Sequence, residues 1–139
     1  MKNNCYLSLG SNMGDRKKNL LDTINALKVS EKVDVKLISP IYKTEPKYNL
    51  NQRFFYNLVV FISTNLSPKV LLRYIQEIEF YIGRILSKEK NQPRVIDIDI
   101  LTYNDLTINS DELIIPHPGV TSRAFVLHPF SDIAPNYNL

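Results

Sequence analysis

The chain has 139 residues, 44% hydrophobic and 22% charged, with a formal net charge of +3. That composition fits one globular domain spanning 1–139 with length enough for a core, and excludes a disordered chain. The small net charge gives no ground for a nucleic-acid partner, and a single cysteine, Cys5, excludes an intrachain disulfide and a thiolate zinc site.

Cys5-Tyr6-Leu7-Ser8-Leu9 reads as a first strand ended by Gly10, with Cys5 a small core residue. The stretch is too short for the apolar region of a signal peptide. Gly10-Ser11-Asn12-Met13-Gly14 reads as a turn. It stands where a phosphate loop would, between strand and helix, but lacks the Gly-Lys-Ser/Thr of such loops. Asp15 caps a helix whose stripe is Leu20, Ile24 and Leu27. Val33 to about Ile41 alternates as a second strand, and residues 43–53 form a long polar loop. Phe54 to Thr64 is apolar on both faces, as a central strand would be. Ser67-Pro68 starts a second helix with Leu71, Ile75, Ile78 and Ile82 inward, and Gly83 closes it. Val95 to Tyr103 is the next strand. Short strands around Leu106–Ile108 and Leu113–Ile115 and a helix over Ser122–Ile133, interrupted by Pro129, complete the chain. The longest apolar run, Leu58–Ile62, is far short of a membrane span, so the expectation is a cytoplasmic protein with no membrane contact. The order predicts an α+β fold of the ferredoxin-like β-α-β-β-α-β kind: an antiparallel sheet with helices packed on it, plus a C-terminal hairpin and helix.

The chemistry concentrates in Asp97-Ile98-Asp99. Alternate strand residues share a face, so the two carboxylates stand together, roughly 6.6 Å apart along the strand, while Ile96, Ile98 and Ile100 point into the core. Such a pair suits Mg²⁺ bound to a polyphosphate, although an isolated D-x-D is more often a solvated acidic face. From Arg84 to Arg94 inclusive there are four cations and one anion, and guanidinium groups match phosphate oxygens in bidentate geometry. Phe55 and Asn57 share a strand face, as a stacking ring and an amide would for a planar heterocycle. The alternative is a core Phe beside a satisfied Asn. Gln76 and Glu79 lie three apart on one helix face, where they could share a ligand or simply face solvent. Pro116-His117-Pro118 holds a histidine rigidly. Neither His117 nor His128 has a partner at metal or triad spacing.

As an ordered set these segments resemble the 6-hydroxymethyl-7,8-dihydropterin pyrophosphokinase family of folate synthesis. The resemblance rests on Tyr6 to Asp15, Tyr42-Lys43-Thr44-Glu45-Pro46, Phe55-Tyr56-Asn57, Gln76 to Glu79, Gly83-Arg84, Pro93 to Leu101, Pro116-His117-Pro118, Arg123 to Leu127 and Ile133-Ala134-Pro135. It implies transfer of a pyrophosphoryl group from ATP to the pterin hydroxymethyl oxygen, with release of AMP. It further implies two Mg²⁺ on Asp97 and Asp99, and Arg84 and Arg94 acting with them in catalysis on the phosphates. Gln76, Glu79, Arg84, Arg94, Ile100, His117 and Arg123 would bind ATP. Thr44, Glu45, Lys47, Phe55, Asn57 and Phe125 would form the pterin pocket, with Phe55 and Phe125 sandwiching the ring. The chain departs from the family pattern at Asn91-Gln92, where an aromatic-Gly pair is common, at Leu86, where another Arg is common, and at Gly119-Val120-Thr121. Its end at Leu139 leaves open a monomeric compact member or one domain of a larger folate enzyme. Two other readings stay open: a nucleic-acid or regulatory binding module on the same plan, and an ordinary kinase moving only the γ-phosphoryl group.

Overall fold

The computed structural model describes residues 1–44, 53–83 and 95–118. Along them run β1 (Asn3–Ser11), α1 (Arg16–Val29), β2 (Val33–Ile38), β3 (Tyr42–Thr44), β4 (Phe55–Thr64), α2 (Pro68–Ile82), β5 (Asp97–Tyr103), β6 (Ile108–Asn109) and β7 (Ile114–Ile115). Among the described residues the fold is α+β: an antiparallel sheet with two helices. The main sheet has the order β2-β4-β1-β5, and β3 pairs with β4 as well. Every ladder in it is antiparallel. β6 and β7 pair separately, Ile108 opposite Ile115.

Alternation along the strands sorts the residues by face. Cys5, Leu7 and Leu9 of β1, Leu58, Val60 and Ile62 of β4, and Ile98 and Ile100 of β5 enter one core with Leu20, Ile24 and Leu27 of α1 and Leu71, Ile75 and Ile78 of α2. Each large aliphatic side chain buried there contributes roughly 1.5–3 kcal/mol relative to exposure. The helices start where side chains replace missing backbone partners. Asp15 accepts from the Lys18 amide at 3.1 Å, and Ser67 accepts from the Val70 amide ahead of Pro68. Gly83 ends α2 at φ 107°, a left-handed position that favours glycine. Among the described residues no helix is long and apolar enough to cross a membrane.

Several boundaries differ from those expected. β1 does not stop at Gly10 but runs on to Ser11, because Gly10 is paired on both sides, with Asn57 of β4 and Asp97 of β5. β2 ends at Ile38, short of Ile41. There Ser39 takes over the ladder: its amide donates to Val59 O and its hydroxyl accepts from the Val59 amide, both at 2.9 Å. Pro40, which has no N–H, follows. The chain then rejoins β4 as β3, within the stretch read as the start of a loop. Finally, β5 begins at Asp97 and carries one surplus residue. Leu7 faces Ile100 while Tyr6 faces Thr102, so Leu101 forms a bulge. The expected C-terminal helix over 122–133 lies outside the described residues.

Candidate active site

The sheet face opposite the helices gathers several of the candidate site residues. Gly10 has Asn57 beside it on one side and Asp97 on the other, and Ser8 has Val59 and Asp99. Directly paired residues share a face, so Asp97, Asp99, Asn57 and Phe55 all project from this one. Strands lie roughly 4.8 Å apart, which puts Asn57 and Asp97 on the order of 10 Å from each other across Gly10.

The two aspartates are half-buried, and the Asp99 side chain keeps 40% of its exposure. Ile98 between them turns into the core, and its backbone amide donates to Glu79 Oε2 at 2.8 Å. Glu79 is 3% exposed, so α2 grips β5 at the residue that separates the two carboxylates. Gln76, by contrast, is exposed. The expectation that Gln76 and Glu79 present one common surface is therefore not met. The edge of the buried stripe passes between them, since three residues on a helix differ by about 60° in direction. The Ile100 side chain is 3% exposed inside the core, as strand alternation predicts, which leaves its backbone as the part able to meet a ligand.

His117 reaches the site by way of the bulge. Its amide donates to Leu101 O at 2.9 Å, and its Nε2 lies 3.9 Å from Asp99 Oδ1. That separation is an electrostatic contact beyond hydrogen-bond length. The sequence marked His117 as rigid but not that its neighbour is Asp99.

At the other end of the face, Asn57 is 2% exposed, and its Nδ2 donates to Thr44 Oγ1 at 2.7 Å. This bond is the gain from β3, which places Thr44 opposite Phe55 and Tyr42 opposite Asn57. With Nδ2 committed to Thr44, Oδ1 turns over Gly10. Phe55 is half-buried beside it. The approach to β4 is clasped by residues the sequence did not single out. Arg16 donates to Phe54 O at 2.8 Å and lies 4.2 Å over the Tyr56 ring. Arg53 donates to Gly14 O, and Asn12 donates to Arg53 O. Their partners are backbone carbonyls distant in sequence, which leave no pattern to read.

The donor set fits magnesium. Asp97 and Asp99 offer hard carboxylate oxygens, and among the described residues no group of three or more His, Cys, Asp or Glu is placed to hold a metal. Mg²⁺ characteristically takes one or two carboxylates and completes its shell with phosphate and water. Cys5, the chain's one thiol, is wholly buried on the opposite face, and burial pushes it up to about 12. Arg84, Arg94, Arg123, Glu45, Lys47 and Phe125 lie outside the described residues, as do Leu86, Asn91-Gln92 and His128.

The model of the 7,8-dihydro-6-hydroxymethylpterin-pyrophosphokinase (HPPK) family matches residues 6–135. The chain is 45% identical over 132 residues to the folic acid synthesis protein FOL1 of Dictyostelium discoideum, covering 95% of this chain and 20% of that protein. It thus spans about a fifth of the length of the FOL1 proteins it matches. It is also 40% identical over 133 residues to the 2-amino-4-hydroxy-6-hydroxymethyldihydropteridine pyrophosphokinase of Bacillus subtilis, covering 96% of this chain and 79% of that one. The HPPK-DHPS of Plasmodium falciparum solved with pteroate superposes with a TM-score of 0.77 at 21% identity, over 98% of this chain and 39% of that one, a likeness of fold alone. A family match across nearly the whole chain, joined by a bacterial relative of similar length, leads to one conclusion: the chain belongs to the 7,8-dihydro-6-hydroxymethylpterin-pyrophosphokinase family.

Proposed function

We propose that this chain transfers the pyrophosphoryl group of ATP to the hydroxymethyl oxygen of 6-hydroxymethyl-7,8-dihydropterin, giving the pterin diphosphate and AMP in folate biosynthesis. The observation that carries the reading is the single sheet face on which Asn57 and Phe55 stand across Gly10 from Asp97 and Asp99. A flat ring seated at one end directs a short arm toward the carboxylates at the other. The β2-β4-β1-β5 order supports a ferredoxin-like plan, and we take 1–139 as one cytoplasmic pyrophosphokinase domain, alone or within a larger folate enzyme.

Asp97 and Asp99 would hold two Mg²⁺ ions, which when bound neutralise phosphate charge and align the entering and leaving oxygens. Phe55 stacks on the pterin while Asn57, oriented by Thr44, hydrogen-bonds its edge. Glu45, Lys47 and Phe125 complete the pocket, with Phe125 on the ring's second face. Arg84 and Arg94 clamp phosphate oxygens in bidentate fashion. Gln76, Arg123 and His117 bind the nucleotide, His117 from its place beside Asp99. The contribution of Ile100 is its backbone, and that of Glu79 is its hold on β5. Positioning supplies much of the rate, since two bound reactants held in line react as one.

The test is the nucleotide product. With ATP, Mg²⁺ and reduced 6-hydroxymethylpterin, chromatography should show AMP and a diphosphorylated pterin, with little AMP when pterin is omitted. ADP would instead indicate γ-phosphoryl transfer, and a folded protein without turnover would indicate a binding module.

A further inference from the structure

We propose that Gly10 is a positioning residue for the pterin: its lack of a side chain lets the Asn57 amide lie across β1 with its oxygen directed at the ring site. This rests on the function proposed above and adds a residue to it. Glycine in a strand interior weakens the strand and often marks a close approach by another group. Here the approaching group is identifiable. A Cβ at Gly10 would stand 2.8 Å from Asn57 Oδ1 and 3.6 Å from Phe55 Cδ1, and its three nearest atoms all belong to those two residues. The first distance is too short for a carbon–oxygen contact, so a methyl group would force the amide to move.

Asn57 has little freedom to yield. It is 2% exposed, and Thr44 holds its Nδ2 at 2.7 Å. Rotating Oδ1 away from Gly10 breaks that bond or drives the amide toward Phe55. The backbone at Gly10 is not among the positive-φ positions, which among the described glycines are Gly14 and Gly83. Alanine therefore meets no conformational penalty at position 10, and its effect there is steric. Gly10 is also the one residue of β1 paired with both Asn57 and Asp97. An added methyl would displace the amide proposed to read the pterin, and none of its three nearest atoms belongs to Asp97.

The experiment is a double-mutant cycle of Gly10→Ala and Asn57→Ala, read by pterin titration, by titration with a non-hydrolysable ATP analogue plus Mg²⁺, and by thermal unfolding. Loss of a well-made hydrogen bond predicts that Gly10→Ala raises the pterin Kd about tenfold or more, with the analogue Kd changed by less than about twofold. In the Asn57→Ala background the same substitution should change the pterin Kd by less than about twofold, because the clashing amide is gone. Should Gly10→Ala alone unfold, the double variant should recover the melting temperature of Asn57→Ala. Additive effects, equal losses for both ligands, or a double variant that stays unfolded would each overturn the inference. A wild-type chain that binds no pterin would overturn the proposed function and this inference together. A wild type that binds pterin normally while Gly10→Ala does so equally well would overturn this inference alone.

Discussion

Asp97 and Asp99 carry the heaviest chemical demand in the proposed reaction, and both are exposed enough to lose without collapse. Asp97→Ala and Asp99→Ala should each lower turnover by at least tenfold, a loss above ~1.4 kcal/mol of transition-state stabilisation. Circular dichroism and unfolding midpoints should stay near wild type. A variant that keeps more than about a tenth of the rate does not have its aspartate at the reacting phosphates. Cys5 allows a prediction of a different kind. Its thiol is raised from 9.0 to about 12 by burial, so the folded chain keeps a proton that the unfolded chain releases above pH 9.0. Stability from this group is intact below pH 9.0 and falls as pH rises toward 12. Denaturant midpoints measured at pH 7 and pH 10.5 should therefore drop less in Cys5→Ala than in wild type; an unchanged drop would remove Cys5 from the account.

Between elements, the contact most specific to the site is the bond from the Ile98 amide to Glu79. Glu79→Ala leaves that buried amide unpaired, which should cost about 1–3 kcal/mol. It should also lower turnover by loosening the strand that spaces Asp97 and Asp99. Glu79→Gln retains a carbonyl acceptor and should recover part of both, as urea midpoints and kcat would show. Stability unchanged in Glu79→Ala would mean the bond holds nothing. Sequence reading reached the aspartate pair and the Phe55–Asn57 face because both follow from strand alternation, a local rule. It could not reach the Glu79–Ile98 bond, since a carboxylate three residues from Gln76 looks the same whether it faces water or a strand. It also missed β3, whose three residues follow Pro40 and are ordered by pairing with β4 rather than by their own pattern. Gly10 looked like the end of a strand because glycine usually is; its double pairing exists only in the sheet.

For the molecule as a whole, the sheet divides labour between its faces. One face, packed by α1 and α2, supplies stability through an aliphatic core. The other gives up apolar packing for Asp97, Asp99, Asn57 and Phe55. β1 lies between β4 and β5 and is the strand through which both halves of the candidate site are registered. The same unit accounts for 79% of the Bacillus subtilis pyrophosphokinase but 20% of the Dictyostelium FOL1 protein.

The bulge at Leu101 gives β5 a tolerance that strands seldom have. Removing one residue from a strand normally turns every following side chain to the wrong face. In β5, Ile100 already faces Leu7 and Thr102 already faces Tyr6, so excising Leu101 joins two segments that are in phase. Such a deletion should give a folded protein with Tyr103 still in the core, weakened by the loss of one fully buried leucine. It should also free His117 from the carbonyl that holds it beside Asp99, lowering activity further than the stability loss explains. Deleting Ile98 instead should abolish folding, and comparing soluble yield and turnover of the two variants tests the contrast. Over evolutionary time the chain can thus shorten here by one residue without rebuilding its sheet, at the expense of its histidine.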